Sequence, residues 1–178
     1  GEILRFVFWH SVVLAALIFA KWKPVNAMFA DLIDDVAAAS SAALDPAVTA
    51  DLDLRQSVQR FVEAFVDVYM RRAGLCRAIM LSADADNRYR ERVIKQSRRV
   101  SQQLAALLAG KRAEFDHPDV RLAADFAFRQ VFATLDQTVR FPGVAPTIVK
   151  LHGAALAMEL TQGFLGYIGY RGQRNARP

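Results

Sequence analysis

The chain has a single cysteine, Cys76, in 178 residues. An internal disulfide framework is therefore excluded, and a reducing compartment fits. Sustained period-two alternation is missing, and so is any Asn-Gly hairpin signal, which removes sheet architectures. A membrane-spanning helix needs roughly 20 apolar residues. The longest apolar run, Phe6–Ala20, is shorter and contains His10 and Ser11. A secretory leader fits by length with Arg5 as a minimal basic flank, but no small-x-small cleavage pattern follows closely and Glu2 weakens that flank.

Reactive constellations are equally scarce. His10, His117 and His152 stand far apart, and none has a histidine, cysteine or carboxylate three or four residues on, so metal-site spacing is absent. There is no nucleophile elbow and no P-loop. Asp34 and Asp35 are neighbours, so on a helix they point in different directions and make poor acid–base partners. Glycines 163, 166, 169 and 172 recur every third residue, but no strand precedes them as a dinucleotide fingerprint requires. The expectation is no enzyme activity, no metal and no cofactor.

What is present is a core-forming composition, 53% hydrophobic and 23% charged, enough for one ordinary domain with a small appendage. The net charge of +5 permits a nucleic-acid or anionic partner without requiring one. Its distribution is uneven. Asp31 to Asp53 holds six aspartates and no basic residue, "RYRERVIKQSRR" (Arg88–Arg99) holds six basic residues and one glutamate, and "RGQRNARP" adds three arginines at the end. Such clusters are ordinarily solvated helix faces or tails.

Helical spacing recurs throughout. Pro24 suits a first helical turn, and Val25, Met28, Phe29, Leu32, Ile33 and Val36 follow at three- and four-residue intervals, fading into a loop through "AAASSAALDP". Asp53 is the expected N-cap of a second helix, with Leu54, Val58, Phe61, Phe65 and Val68 as its buried stripe, stopping near Gly74. A short helix over Leu75–Ala83 and a long one over Arg88–Ala109 follow, with Gly110 as the stop. The helix expected over Val120–Val139 is apolar on two sides: Val120, Ala124, Ala127, Val131 and Leu135 on one, Leu122, Phe126 and Ala133 roughly opposite. A helix of that kind is buried on both sides, one of them against a second molecule. The last helix, Pro146–Tyr167, is rich in small residues that permit close helix approach. The fold class is thus all-α, and the surplus apolar surface of the last two helices points to a helix-to-helix homodimer.

One short stretch is more specific. "FAKWKPVNAMF" (Phe19–Phe29) has an aromatic, two spacers, a second aromatic and a short polar link into a helix. With the helix order behind it, the chain resembles the tetracycline-repressor (TetR) family of bacterial transcription regulators. The resemblance implies a helix-turn-helix DNA-binding unit followed by a helical ligand-binding and dimerisation domain. The divisions it suggests are 1–23 for a partial helix-turn-helix remnant, 24–170 for the regulatory domain and 171–178 for a basic tail. The N-terminal unit is expected to be incomplete or atypical, because only 18 residues precede Phe19 and "SVVLAALIF" is apolar where a groove-reading helix needs polar or basic side chains.

From the same resemblance come the expected roles. Lys21, Trp22 and Lys23 would contact operator DNA, the lysines through phosphate. Phe61, Phe65, Tyr69, Met80, Ser97, Ser101 and Phe126 would line a cavity for a small apolar or amphipathic effector. Taken singly, each aromatic reads first as plain core, and the serine hydroxyls could be satisfied by backbone one turn back. Ala124, Ala127, Val131, Leu135, Gly153 and Ala157 would form the dimer interface. The implied protein is a cytoplasmic, ligand-responsive repressor with no membrane partner. The alternative is a small helical interaction protein anchored in a membrane by Phe6–Ala20.

Overall fold

The computed structural model describes residues 27–28, 30–82, 87–141 and 151–172, with side chains for all of these but 79–82 and 87–90. Helix α1 runs continuously over residues 30–43. It is followed by α2 (Pro46–Thr49), α3 (Leu54–Arg71), α4 (Ala73–Ser82), α5 (Asn87–Gly110), α6 (Val120–Arg140) and α7 (Gly153–Ile168), with a 3-10 turn at Arg112–Glu114 between α5 and α6. Among the described residues the only strand-like feature is an isolated bridge between Phe115 and Tyr170. The architecture is all-α.

Three boundaries depart from the sequence expectation. The alanine-serine run does not fade into a loop. It carries α1 as far as residue 43, because alanine is the strongest helix former and because Ser40 and Ala43 are buried against the bundle. The single turn α2 was not expected. Asp45 caps it by accepting from the Ala47 N–H, and Pro46 occupies its first position. The last helix starts at Gly153, not Pro146, since Leu151 and His152 are non-helical.

The α3 boundary follows the expected chemistry. The Asp53 carboxylate accepts from the Gln56 N–H at 2.7 Å, and the Gln56 side chain accepts from the Asp53 N–H at 3.0 Å, a complete capping box. The expected stripe Leu54, Val58, Phe61, Phe65 and Val68 is buried throughout. The helix turns at Arg72, and Gly74 lies inside α4.

Helix α6 lies at the centre of the bundle and packs against α3, α4, α5 and α7, while α3 also packs along α7. Two sets of polar stitches fix the ends of the helices. Glu114 accepts from the Leu54 N–H at 2.8 Å, and Lys111 donates to the Leu52 carbonyl, which binds the start of α3 to the end of α5. The N–H of His117 donates to the Ile168 carbonyl at 3.0 Å, and Arg171 pairs with Asp116 at 2.7 Å, which binds the approach to α6 to the end of α7. Arg171, assigned to the tail, is thus docked on the domain. Gly169 ends α7 with φ of 70°, where a Cβ would come within 3.3 Å of the Asp116 Cβ, so glycine suits both the conformation and the close approach.

Helix α6 is capped by Asp119, whose carboxylate accepts from the N–H groups of Arg121 at 2.9 Å and Leu122 at 3.0 Å. The bond from Leu122 is the leading cause holding this carboxyl below its ordinary value. A carboxyl lowered in the folded state stabilises fully above its unfolded value, and that contribution is lost as pH falls through the folded one. Asp119→Asn keeps a capping oxygen but does not titrate. The gap in unfolding free energy between wild type and Asp119→Asn is expected to be constant near neutrality and to close below the ordinary carboxylate range. Urea titrations across the acid limb measure it.

Candidate functional site

The 3.6-residue helical repeat puts Phe61, Phe65 and Tyr69 on one line of α3. Their rings stack along it, with centroids 5.7 Å apart for Phe61–Phe65 and 5.0 Å for Phe65–Tyr69. From α6, Phe128 meets Phe65 edge-on at 5.7 Å and Phe132 meets Tyr69 edge-on at 6.2 Å. These are favourable geometries for aromatic quadrupoles. The structure therefore brings together three of the expected ligand-lining residues, but they pack on one another and on α6.

The remaining expected lining residues are scattered. Ser97 and Ser101 are half-buried on α5. The Ser101 hydroxyl donates to Asp125 of α6 at 3.1 Å, so its partner is a neighbouring helix and not the carbonyl one turn back. The side chain of Met80 lies outside the described atoms. Phe126 is 43% exposed on the outer side of α6, its ring tilted against that of Tyr167 with centroids 4.7 Å apart. Two positions along a helix turn a side chain through about 200°, so Phe126 points away from the column that Phe128 joins.

Two cavities flank α1. One, of about 640 Å³, lies between the α1–α2 corner and the C-terminal half of α5, with Ser41, Leu44, Gln103, Leu107 and Lys111 among its lining. The other, of about 850 Å³, lies between α1 and the α3–α4 elbow, with Asp35, Val68, Arg72 and Leu75 among its lining. Neither is lined by Phe61, Phe65, Tyr69, Ser97, Ser101 or Phe126. Each is crossed by a polar tie from α1 to the bundle: Arg72 pairs with Asp35 across the larger, and Gln103 donates to Ser41 at 3.2 Å across the smaller. Sequence periodicity did not single out Ser41, Gln103 or Lys111. The available signal was polar residues within the alanine-rich ends of two helices.

The outer face of α6 and α7 is the second candidate surface. Leu122 is 51% exposed, and Met158 on α7 is 53% exposed. With Phe126 they place three large apolar side chains in water on adjacent helices. The residues expected at a dimer interface lie elsewhere. Ala124, Ala127, Val131 and Leu135 are buried in the chain's own core, as is Ala157, while Gly153 is exposed at the start of α7. Small residues on α6 let α7 approach closely, so that side of the helix is already covered within one chain. The free apolar side is the one marked by Leu122 and Phe126.

Residues 53–167 match the family described as tetracyclin repressor-like, C-terminal domain. The chain belongs to that family. No curated protein and no solved structure matches the chain. The match begins at the N-cap of α3 and ends one residue before the end of α7. It therefore covers the aromatic column and the α6–α7 face, and α1 and α2 precede it. Tetracyclin repressor-like proteins are ligand-responsive transcription regulators and not enzymes. Lys21, Trp22, Lys23 and the apolar run Phe6–Ala20 lie outside the described residues. Among the described residues no helix is long and apolar enough to cross a membrane.

In this tetracyclin repressor-like domain Cys76 lies buried at the α3–α4 elbow, and burial pushes its thiol up to about 11. A rise of about two units from the ordinary value leaves about a hundredfold less thiolate near neutrality. Alkylation by iodoacetamide is expected to be at least about a hundredfold slower in the folded protein than in urea. Intact-mass time courses measure the ratio.

Proposed function

We propose that the protein is a transcriptional repressor that binds operator DNA as a homodimer and leaves it when a small amphipathic effector binds the helical domain. The exposed apolar face shared by α6 and α7 is the observation that carries this reading. Leu122 and Phe126 are exposed on α6, Phe126 against Tyr167 of α7, and pairing two such faces makes a four-helix bundle. Membership of a ligand-responsive regulator family supports the remainder.

In this reading α1 is the lever. It connects the residues before it, including Lys21, Trp22 and Lys23, to the bundle, and Asp35–Arg72 and Ser41–Gln103 set its position. A dimer engages two half-sites only when its reading elements stand one DNA turn apart, about 34–36 Å. An effector that prefers another α1 position shifts the population away from that spacing.

The test is selection of genomic DNA fragments by the purified chain, followed by footprinting. The reading expects a two-fold symmetric footprint and affinity that falls steeply with salt. Absence of any selected sequence, with the dimer intact, would remove the repressor assignment.

A further inference from the structure

We infer that the groove between the α1–α2 corner and α5 binds a small amphipathic carboxylate and is the effector site of the repressor proposed above, on which reading its regulatory role rests. Its volume of about 640 Å³ falls within the range of small-molecule sites, about 300–1,000 Å³. Leu44, Pro46, Ala106 and Leu107 give it apolar walls. Ser41 and Gln103 add a half-buried polar pair. Gln103 Nε2 donates to the Ser41 hydroxyl at 3.2 Å, and that hydroxyl lies 3.5 Å from Gln103 Oε1 as a donor to it, so the amide keeps a second N–H and one carbonyl lone pair for a ligand.

The charges select the head group. Lys111 lines the groove, half-buried, and donates to the Leu52 carbonyl. That uses one of the three donors of an ammonium and fixes its position. Most acids of this corner are engaged with backbone. Asp45 accepts from the Ala47 N–H, Asp53 from Gln56 and Glu114 from Leu54. Asp51 is exposed to solvent. Lys111 is the cation of the groove's lining and keeps two ammonium donors, while Asp45, the carboxylate of the same lining, turns one oxygen to the Ala47 N–H. An anion beside apolar walls is the head group those two donors fit.

The groove also explains how occupancy reaches α1. Ser41 and Leu44 come from the end of α1 and the corner after it, while Gln103 and Lys111 come from α5 and its end. A ligand bonded to Gln103 competes with the Ser41–Gln103 tie and so changes the relative free energies of α1 positions.

Isothermal titration of the full chain with decanoate, with decanol and decyltrimethylammonium as head-group controls, tests this directly. Saturable decanoate binding at one site per chain is expected, about tenfold weaker in Lys111→Met and restored in Lys111→Arg. Decanol binding should be unmoved by either substitution. Equal binding of all three head groups, no saturable binding, or a Lys111→Met protein that binds decanoate like wild type overturns the site. Calorimetry needs no DNA, so this arm stands apart from the repressor reading. Decanoate that binds through Lys111 yet leaves bound DNA in place overturns the effector role.

Discussion

Phe65→Ala is expected to lower the unfolding free energy by about 3–5 kcal/mol, the range for removing a fully buried phenylalanine. Phe65 is 1% exposed and touches the rings of Phe61, Tyr69 and Phe128. Truncation loses the transfer free energy of the ring and leaves a void between α3 and α6. Neither helix can collapse freely into that void, because Leu54–Glu114 and Leu52–Lys111 hold the start of α3 and His117–Ile168 and Asp116–Arg171 hold the approach to α6. A domain of this size has only about 5–15 kcal/mol in total, so the variant should melt far below wild type. Phe65→Leu keeps much of the volume and should lose roughly half as much. Urea unfolding followed by circular dichroism gives both values, at one fixed protein concentration because association shifts apparent stability. A loss below about 1 kcal/mol for Phe65→Ala would show that the aromatic column is not packed as described.

That column was legible as a stripe but not as a filled volume. Phe61, Phe65 and Tyr69 follow i, i+4 spacing, and spacing alone fixes which face of α3 they share. Whether a cavity or another ring stands opposite depends on α6, far away in sequence, and Phe128 and Phe132 supply the rings. The same limit explains α1. Its alanines read as a fading pattern because they contribute little to a hydrophobic stripe, yet their helix propensity and the buried Ser40, Ala43 and Leu44 extend the helix and the packing beyond it. Local chemistry read more faithfully. Asp53 and Gln56 determine where α3 begins with side-chain bonds to nearby backbone, and no distant contact is needed. The start of α7 read poorly because nothing in the local pattern marks the non-helical Leu151 and His152 that precede it.

The two faces of α6 make the strongest contrast for the proposed assembly. Phe126→Glu and Leu135→Glu place the same charge on one helix, on opposite sides. Leu135 is fully buried and Phe126 is 43% exposed. Leu135→Glu puts an unpaired carboxylate in the core and is expected to unfold the chain, with loss of the helical circular-dichroism signal. Phe126→Glu should keep that signal, since water already reaches the site. If Phe126 anchors the α6–α7 face of a dimer, its replacement removes an aromatic contact worth about 2–4 kcal/mol, or roughly 30- to 1,000-fold in the dimer dissociation constant. It also sets a carboxylate beside its symmetry mate's surface. Sedimentation velocity at micromolar concentration should then show wild type as a dimer and Phe126→Glu as a folded monomer. A Phe126→Glu protein that stays dimeric would place the interface elsewhere. A wild-type monomer would remove the dimer on which two half-site recognition depends.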